Sequence, residues 1–293
     1  MSISITAKSA NEAFIKIADK LYNNPEYVSS PRSWETRELL GAFIVINNPY
    51  DRFINNVHRK ISLKYLIGEW LWYERGSNSL NEINYYAKFW SSISDDKITA
   101  NSAYGHRILG INKFVIINQW KWAKRQIIKD KETRRAIIFI GLPSDMKNET
   151  KDFPCTMSLQ FLIRNNELHL ICNMRSNDLV LGFTYDVATF TLYQEKMLLE
   201  LKKYYPKLKI GKYFHMVGSL HVYKKNYEMI KKVINDQDNN LKITMPRMGD
   251  LKEIKKLQYN ESIIRENKNK KFKKIEDRFC IWCQNILLNK IKY

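Results

Sequence analysis

At 293 residues the chain can bury a sizeable core, and 44% hydrophobic with 13% aromatic content excludes a disordered polymer. The formal net charge of +19 predicts anionic partners: nucleic acid, phosphorylated metabolites or acidic cofactors. No apolar run reaches the length of a membrane span, and Met1-Ser2-Ile3-Ser4 lacks the regions of a signal peptide. Four cysteines are too few for a disulfide scaffold, so the composition reads as a soluble, reduced, cytoplasmic protein.

In chain order, residues 9–22 read as a capped amphipathic helix. A polar loop over 29–37 feeds a strand over 39–47, closed by Pro49. Residues 62–73 form a helix with the stripe Leu63, Leu66, Ile67, Trp70 and Leu71, ended by Gly76; Glu69 sits unusually within that apolar segment. Helices are expected over 80–90 and 112–129, and a strand over 134–140 that starts with two arginines. Residues 159–164 and 167–174 alternate in polarity around Asn165-Asn166, a hairpin signal. A helix over 185–202, a strand over 213–223 and a helix over 227–235 complete the body, giving one α+β domain over 1–240. Residues 241–293 form a basic extension, expected to be helical and packed on the same domain.

The stretch that organises the chain is Phe153-Pro154-Cys155-Thr156, followed by Met174-Arg175-Ser176-Asn177-Asp178 and by Tyr185-Asp186-Val187. A thiol placed near arginines suits nucleophilic catalysis, because the thiolate is the reactive form and nearby cations favour it. Arg175, Arg134, Arg135 and Arg32 are the candidates to surround it. Taken alone, a cysteine is more often a small core residue, Arg134-Arg135 a solvated strand start, Glu69 a helix-face charge, and His221 a structural histidine.

The joint pattern resembles the thymidylate synthase superfamily, which includes the deoxycytidylate and cytidylate hydroxymethylases. Pro154-Cys155, Gln160-Phe161, the run from Arg175 to Gly182, Tyr185-Asp186-Val187-Ala188, His221-Val222-Tyr223, Arg134-Arg135, Glu69 and Tyr104-Gly105 match that core, so the likeness runs from about Arg32 to Tyr223. The resemblance implies a thymidylate synthase-like fold, a large mixed bent sheet packed against helices, with one sheet face at a homodimer interface. It implies that Cys155 attacks C6 of the pyrimidine, a covalent catalysis. Arg32, Arg175 and Ser176 would hold the phosphate of a pyrimidine nucleoside monophosphate, joined by Arg134 and Arg135 across the dimer. His221 and Tyr223 would bond the sugar, with Gln160 and Asn177 further substrate contacts. Glu69 and Tyr104 would move protons, and Trp90, Asp178 and Gly182 would face the co-substrate, 5,10-methylenetetrahydrofolate.

The informative departure is Asp186, where thymidylate synthases carry Asn. A carboxylate accepts from the N4 amino group of cytosine and, if protonated, also donates to N3. Asp186 therefore points to a cytosine nucleotide, and members that act on cytosine are mostly hydroxymethylases, in which water captures the transferred carbon. The expected activity is folate-dependent C5 hydroxymethylation, with dCMP favoured and CMP not excluded. Within the class, the alternative is a thymidylate synthase that tolerates Asp186; from another class, it is a catalytically silent nucleotide- or RNA-binding relative. Thr156 and Ser219 replace the usual histidine and aspartate, the loop around Arg32 lacks its glycines, and the tail Asn289-Lys290-Ile291-Lys292-Tyr293 lacks an apolar lid. Cys280 and Cys283 have redox or metal spacing but no second pair, so core packing is expected and no metal. The lysine-rich stretch 251–275 lacks interleaved aromatics beyond Tyr259 and Phe272, so nucleic-acid binding is not favoured.

Overall fold

The computed structural model describes residues 3–110, 117–147 and 150–291. The sheet grows from its alternating segments. β5 (Thr156–Arg164) and β6 (Glu167–Asp178) form the expected hairpin, Arg164 opposite Glu167. Asn165 (φ 51°) and Asn166 (φ 59°) both take the left-handed conformation that a two-residue hairpin turn requires. β7 (Lys209–Tyr223) lies parallel to β6, and β3 (Thr36–Ile46) antiparallel to β7. β1 (Ser4–Ala7), β2 (Tyr27–Ser29) and β4 (Ile137–Phe139) complete a mixed sheet in the order β1-β3-β7-β6-β5-β4, with β2 on β3.

One face of this sheet is covered. Leu159, Phe161, Leu168, Leu170, Cys172, Tyr213 and Val217 point into a core closed by α1 (Ala10–Asn23), α2 (Leu63–Glu74) and α7 (Thr184–Leu201). Ser9 and Ser62 cap α1 and α2 by accepting from the backbone N–H three residues on. The opposite face carries Leu40 and Met216, both exposed, and a stacked Phe43–Phe214 pair.

Several boundaries differ from the sequence reading. The helix expected over 80–90 is two short ones, α3 (Leu80–Ile83) and α4 (Phe89–Ile93). Between them Tyr86 packs its ring against Gly68, where a Cβ would stand 2.5 Å away, and donates to Glu261 at 2.7 Å. That tertiary anchor overrides the local pattern. Residues 104–109, read as loop and motif, form α5 (Tyr104–Leu109). The helix expected over 112–129 is α6 (Gln119–Lys129), capped by Asn118, and residues 112–116 lie outside the described part.

After α8 (Tyr227–Asn235), the extension returns to the core. Buried Glu195 pairs with Arg52 at 2.6 Å and accepts from the backbone N–H of Met248 at 2.9 Å, strapping the connecting segment down. In α9 (Glu253–Arg265), the fully buried Glu261 is ion-paired to Arg75 and Arg265. In α10 (Arg278–Leu287), Phe279 meets Trp70 edge-on at 5.5 Å, and Cys280 and Cys283 are wholly buried in the common core. Burial pushes both thiols up, as inert core packing requires. Among the described residues, no helix is long and apolar enough to cross a membrane.

Candidate active site

Because β6 and β7 run parallel, their C-terminal ends deliver two segments to one place: Ser176 stands opposite Ser219, and Asp178 opposite His221. Cys155 precedes β5 at the same end, since Thr156 pairs with Met174. Arg175 holds the cysteine loop by donating to the carbonyls of Pro154 and Phe153, each at 2.9 Å, and its guanidinium comes within 3.7 Å of Cys155 Sγ. Burial raises the thiol's pKa, and the Arg175 and Arg32 charges offset this only partly. The two arginines favour the thiolate as the sequence reading expected, and desolvation, which a sequence does not display, outweighs them.

Arg32 sits in a turn over Pro31–Ser33 with φ 54°, and Ser33 follows at φ 65°. Two consecutive non-glycine residues in this region store strain of a kind found at functional sites. The Arg32 side chain reaches the Tyr223 hydroxyl, and Tyr223 meets His221 edge-on at 5.1 Å. Ser219, standing where an aspartate was anticipated, donates to Glu38 on the neighbouring strand. The carboxylate is thus supplied by β3.

Deeper in, three groups that ionise are packed with little water. Glu69 is buried on α2, and burial pushes its pKa up to about 7 against hydrogen bonds from Tyr65 (2.5 Å) and Tyr73 (3.4 Å). Tyr65 in turn accepts from Trp90 Nε1 at 3.2 Å. Tyr104, at the start of α5, is stacked between Tyr73 and Phe190. Burial raises its pKa, as do the charges of Asp186, Cys155 and Glu69. A Cβ on Gly105 would stand 2.0 Å from the Tyr73 carbonyl oxygen, so only glycine lets α5 sit this close to α2. Asp186, in the first turn of α7, is pushed up to about 8 by burial and by the Glu69 charge. A carboxyl with that value is mostly protonated at neutral pH.

Behind Asp186 runs a line of buried polar groups, of which sequence reasoning named Asn177 but neither His215 nor Tyr213. Asn177, expected among the substrate contacts, is 2% exposed and donates its amide to Asp186 Oδ2 at 2.8 Å. Its Oδ1 lies 3.1 Å from His215 Nε2, and His215 Nδ1 lies 2.8 Å from the Tyr213 hydroxyl. Gly182 faces this line: a Cβ there would stand 2.5 Å from Asn177 Nδ2. Tyr65 was readable in principle, four residues before Glu69 on one helix face. His215 was not, since it meets Asn177 from 38 residues away.

The residues expected to face a co-substrate offer an acceptor. Asp178 accepts from Leu181 N at 2.6 Å through Oδ2, while its buried Oδ1 has no hydrogen-bond partner. Leu181 beside it is half exposed, and Trp90 lies edge-on to Trp72. An open acceptor beside apolar surface fits a flat heterocycle bearing N–H groups. By contrast, Gln160 donates to the Arg134 carbonyl at 2.9 Å, five residues along β5 from the cysteine. Arg134 and Arg135 are exposed at the start of β4, roughly 20 Å along the strand from Cys155 by strand rise. Within one chain these three do not join the cluster.

A sequence model of the thymidylate synthase family matches residues 12–277. The chain is 28% identical over 212 residues to the deoxycytidylate 5-hydroxymethyltransferase of Enterobacteria phage T6, covering 70% of this chain and 82% of that one. It is 31% identical over 210 residues to the deoxyuridylate hydroxymethyltransferase of Bacillus phage SP01, covering 68% of this chain and 54% of that one. It is also 26% identical over 178 residues to the thymidylate synthase of Bacillus subtilis subsp. natto, covering 59% and 62% respectively. The cysteine beside Arg175, the Glu69 and Asp186 carboxyls near it and the family match over most of the length agree: the chain belongs to the thymidylate synthase family and is a one-carbon transferase acting on a pyrimidine nucleotide, in a family whose co-substrate is methylenetetrahydrofolate.

Proposed function

We propose that this chain hydroxymethylates C5 of a cytosine nucleotide, dCMP in preference to CMP. The observation that carries the reading is Asp186, held by the Asn177 amide at 2.8 Å and with its pKa pushed up to about 8 by desolvation and the Glu69 charge. A protonated carboxyl donates to N3 of cytosine and accepts from its N4 amino group. The co-substrate supplies a one-carbon unit at the formaldehyde oxidation level.

Cys155 Sγ adds to C6, which places carbanion character on C5. Arg175, Ser176 and Arg32 hold the phosphate, and His221 and Tyr223 bond the sugar. C5 then attacks the transferred carbon. Tyr104 receives the C5 proton or relays it through water, because it lies among Cys155, Asp186 and Glu69. Loss of that proton would break the carbon's bond to the co-substrate nitrogen, releasing tetrahydrofolate and leaving an exocyclic methylene; water then adds to the methylene, giving up a proton, and Cys155 leaves as thiolate as the C5–C6 double bond re-forms. Glu69, at about 7, is suited to give and take protons near neutral pH. Trp90 and Asp178 face the co-substrate, with Gly182 leaving room for Asn177 beside it.

Arg134 and Arg135 would complete the phosphate site from a second copy. The exposed apolar sheet face carrying Leu40, Met216 and the Phe43–Phe214 pair supports such a homodimer. The test is mass spectrometry of product after incubation with methylenetetrahydrofolate and dCMP, CMP or dUMP. A hydroxymethyl adduct on dCMP is expected, with tetrahydrofolate released. A methyl adduct on dUMP with dihydrofolate released makes the chain a thymidylate synthase, and a hydroxymethyl adduct on dUMP moves the substrate to uridylate. The name of the Bacillus phage SP01 relative favours keeping that last outcome in view.

A further inference from the structure

A neutral carboxyl does not by itself choose a base. Its O–H and C=O pair with N3 and N4–H of cytosine in one orientation. With the proton on the other oxygen, they pair equally with O4 and N3–H of uracil. Selection therefore needs something that decides which oxygen carries the proton, and that device has to be internal, because base and carboxyl are the same shape in both arrangements.

The line behind Asp186 has a single consistent sense. His215 is wholly buried, and burial lowers its pKa to about 3, so it is neutral and carries one ring proton. With Asn177 Oδ1 turned toward Nε2, the ring proton is on Nε2 and is donated to that oxygen, and Nδ1 accepts from the Tyr213 hydroxyl. Asn177 is thereby held with its amide N–H toward Asp186 Oδ2. A carbonyl oxygen accepts that bond far better than a hydroxyl oxygen does, so Oδ2 is the carbonyl and Oδ1 bears the proton. A flipped Asn177 would present its oxygen and draw the proton to Oδ2. Gly182 allows the close approach, since any side chain there would displace the amide.

We propose that Tyr213, His215 and Asn177 are positioning residues that select the pyrimidine by fixing which oxygen of Asp186 carries the proton. This rests on the reading that Asp186 faces the base, but not on which base wins. The unused orientation leaves donor facing donor and acceptor facing acceptor, a mismatch that rejects analogues strongly in sites built on hydrogen bonds.

The test is calorimetric binding of dCMP and of dUMP to the full chain, with kcat/KM ratios measured beside it. Wild type is expected to separate the two by roughly 100-fold or more. Asn177→Ala and His215→Leu should bring the ratio within about tenfold, chiefly by improving the disfavoured base relative to the other. His215→Gln, whose amide can donate to Asn177 Oδ1, should restore most of the ratio. Tyr213→Phe keeps the ring, so it serves if His215→Leu fails to fold, and it should lower the ratio severalfold by freeing the His215 tautomer. A wild type that prefers dUMP, with the ratio still collapsing in the variants, overturns the cytosine reading and upholds the relay. Equal weakening of both nucleotides, or an unchanged ratio in Asn177→Ala, assigns these residues a merely structural part and overturns the relay.

Discussion

The two ends of the site are built on opposite physics. At the proposed base end, Glu69, Tyr104, Asn177 and His215 are buried and Asp186 is partly buried among them, and each has its protonation shifted or its hydrogen bonds fixed by that packing. At the phosphate end, Arg175, Arg134 and Arg135 are exposed, and the last two stand far from the cysteine of their own chain. A reader of neutral hydrogen-bond patterns gains from excluding water, which would otherwise satisfy either base. A binder of a dianion works with flexible, solvated cations and can borrow them from a second copy.

The sharpest way to break the contrast is to remove the group between the two ends. Cys155→Ala should cut turnover by roughly three orders of magnitude or more, with nucleotide binding retained in calorimetry. Loss of binding as well would mean that the thiol is part of the recognition surface. Asp186→Asn comes next, and it should reverse the base preference by two or more orders of magnitude, roughly the range seen for buried hydrogen-bond mismatches.

The same variant carries a stability signature. The folded carboxyl titrates at about 8 and the unfolded one near its ordinary 3.8. The folded state therefore holds a proton that the unfolded state releases, and wild-type stability falls as pH rises from about 4 to about 8. Asparagine has no such slope. The melting-temperature advantage of Asp186→Asn should grow across that window, with an upper bound on the order of 5 kcal/mol. A flat difference would show that Asp186 is ionised.

Smaller effects are expected at the phosphate end. Arg135→Ala should raise KM for nucleotide about tenfold and flatten its salt dependence. Mixing an Arg135→Ala, Arg134→Ala chain with a Cys155→Ala chain should regain turnover that neither has alone, if the phosphate site is shared. Recovery no better than either parent would confine each site to one chain. Smallest of all, Cys280→Ala should cost about 1 kcal/mol in denaturant melts and leave kcat unchanged.

What the sequence showed and what it hid divide along the same line. Cys155, Arg175, Asp178, His221 and Asp186 were legible because their spacing sits in a few short segments. The hairpin was legible because Asn165-Asn166 is a local turn signal with a known geometry. The split of the 80–90 helix was hidden because its cause is Tyr86 reaching Glu261, 175 residues away. The relay was hidden for a related reason: Asn177 and His215 meet across 38 residues of chain, the register sets them opposite Leu220 and Cys172 instead, and an isolated histidine in a strand announces nothing. Asn177 was named as a substrate contact, and its hydrogen bond to Asp186 was not foreseen. The thiol's raised pKa was missed because charges can be counted in a sequence and desolvation cannot.

The arrangement also has a consequence in time. Asn177, Asp186 and His215 all lie within one strand–helix–strand unit, so the base reader is fully synthesised once β7 has emerged. The helix carrying Glu69 came earlier, but it is backed by Phe279 of α10, near the far end of the chain. At roughly 5–20 residues per second of synthesis, several seconds separate the two. The strand–helix–strand unit that carries Asp186 is therefore complete before the helix that backs α2 has been made.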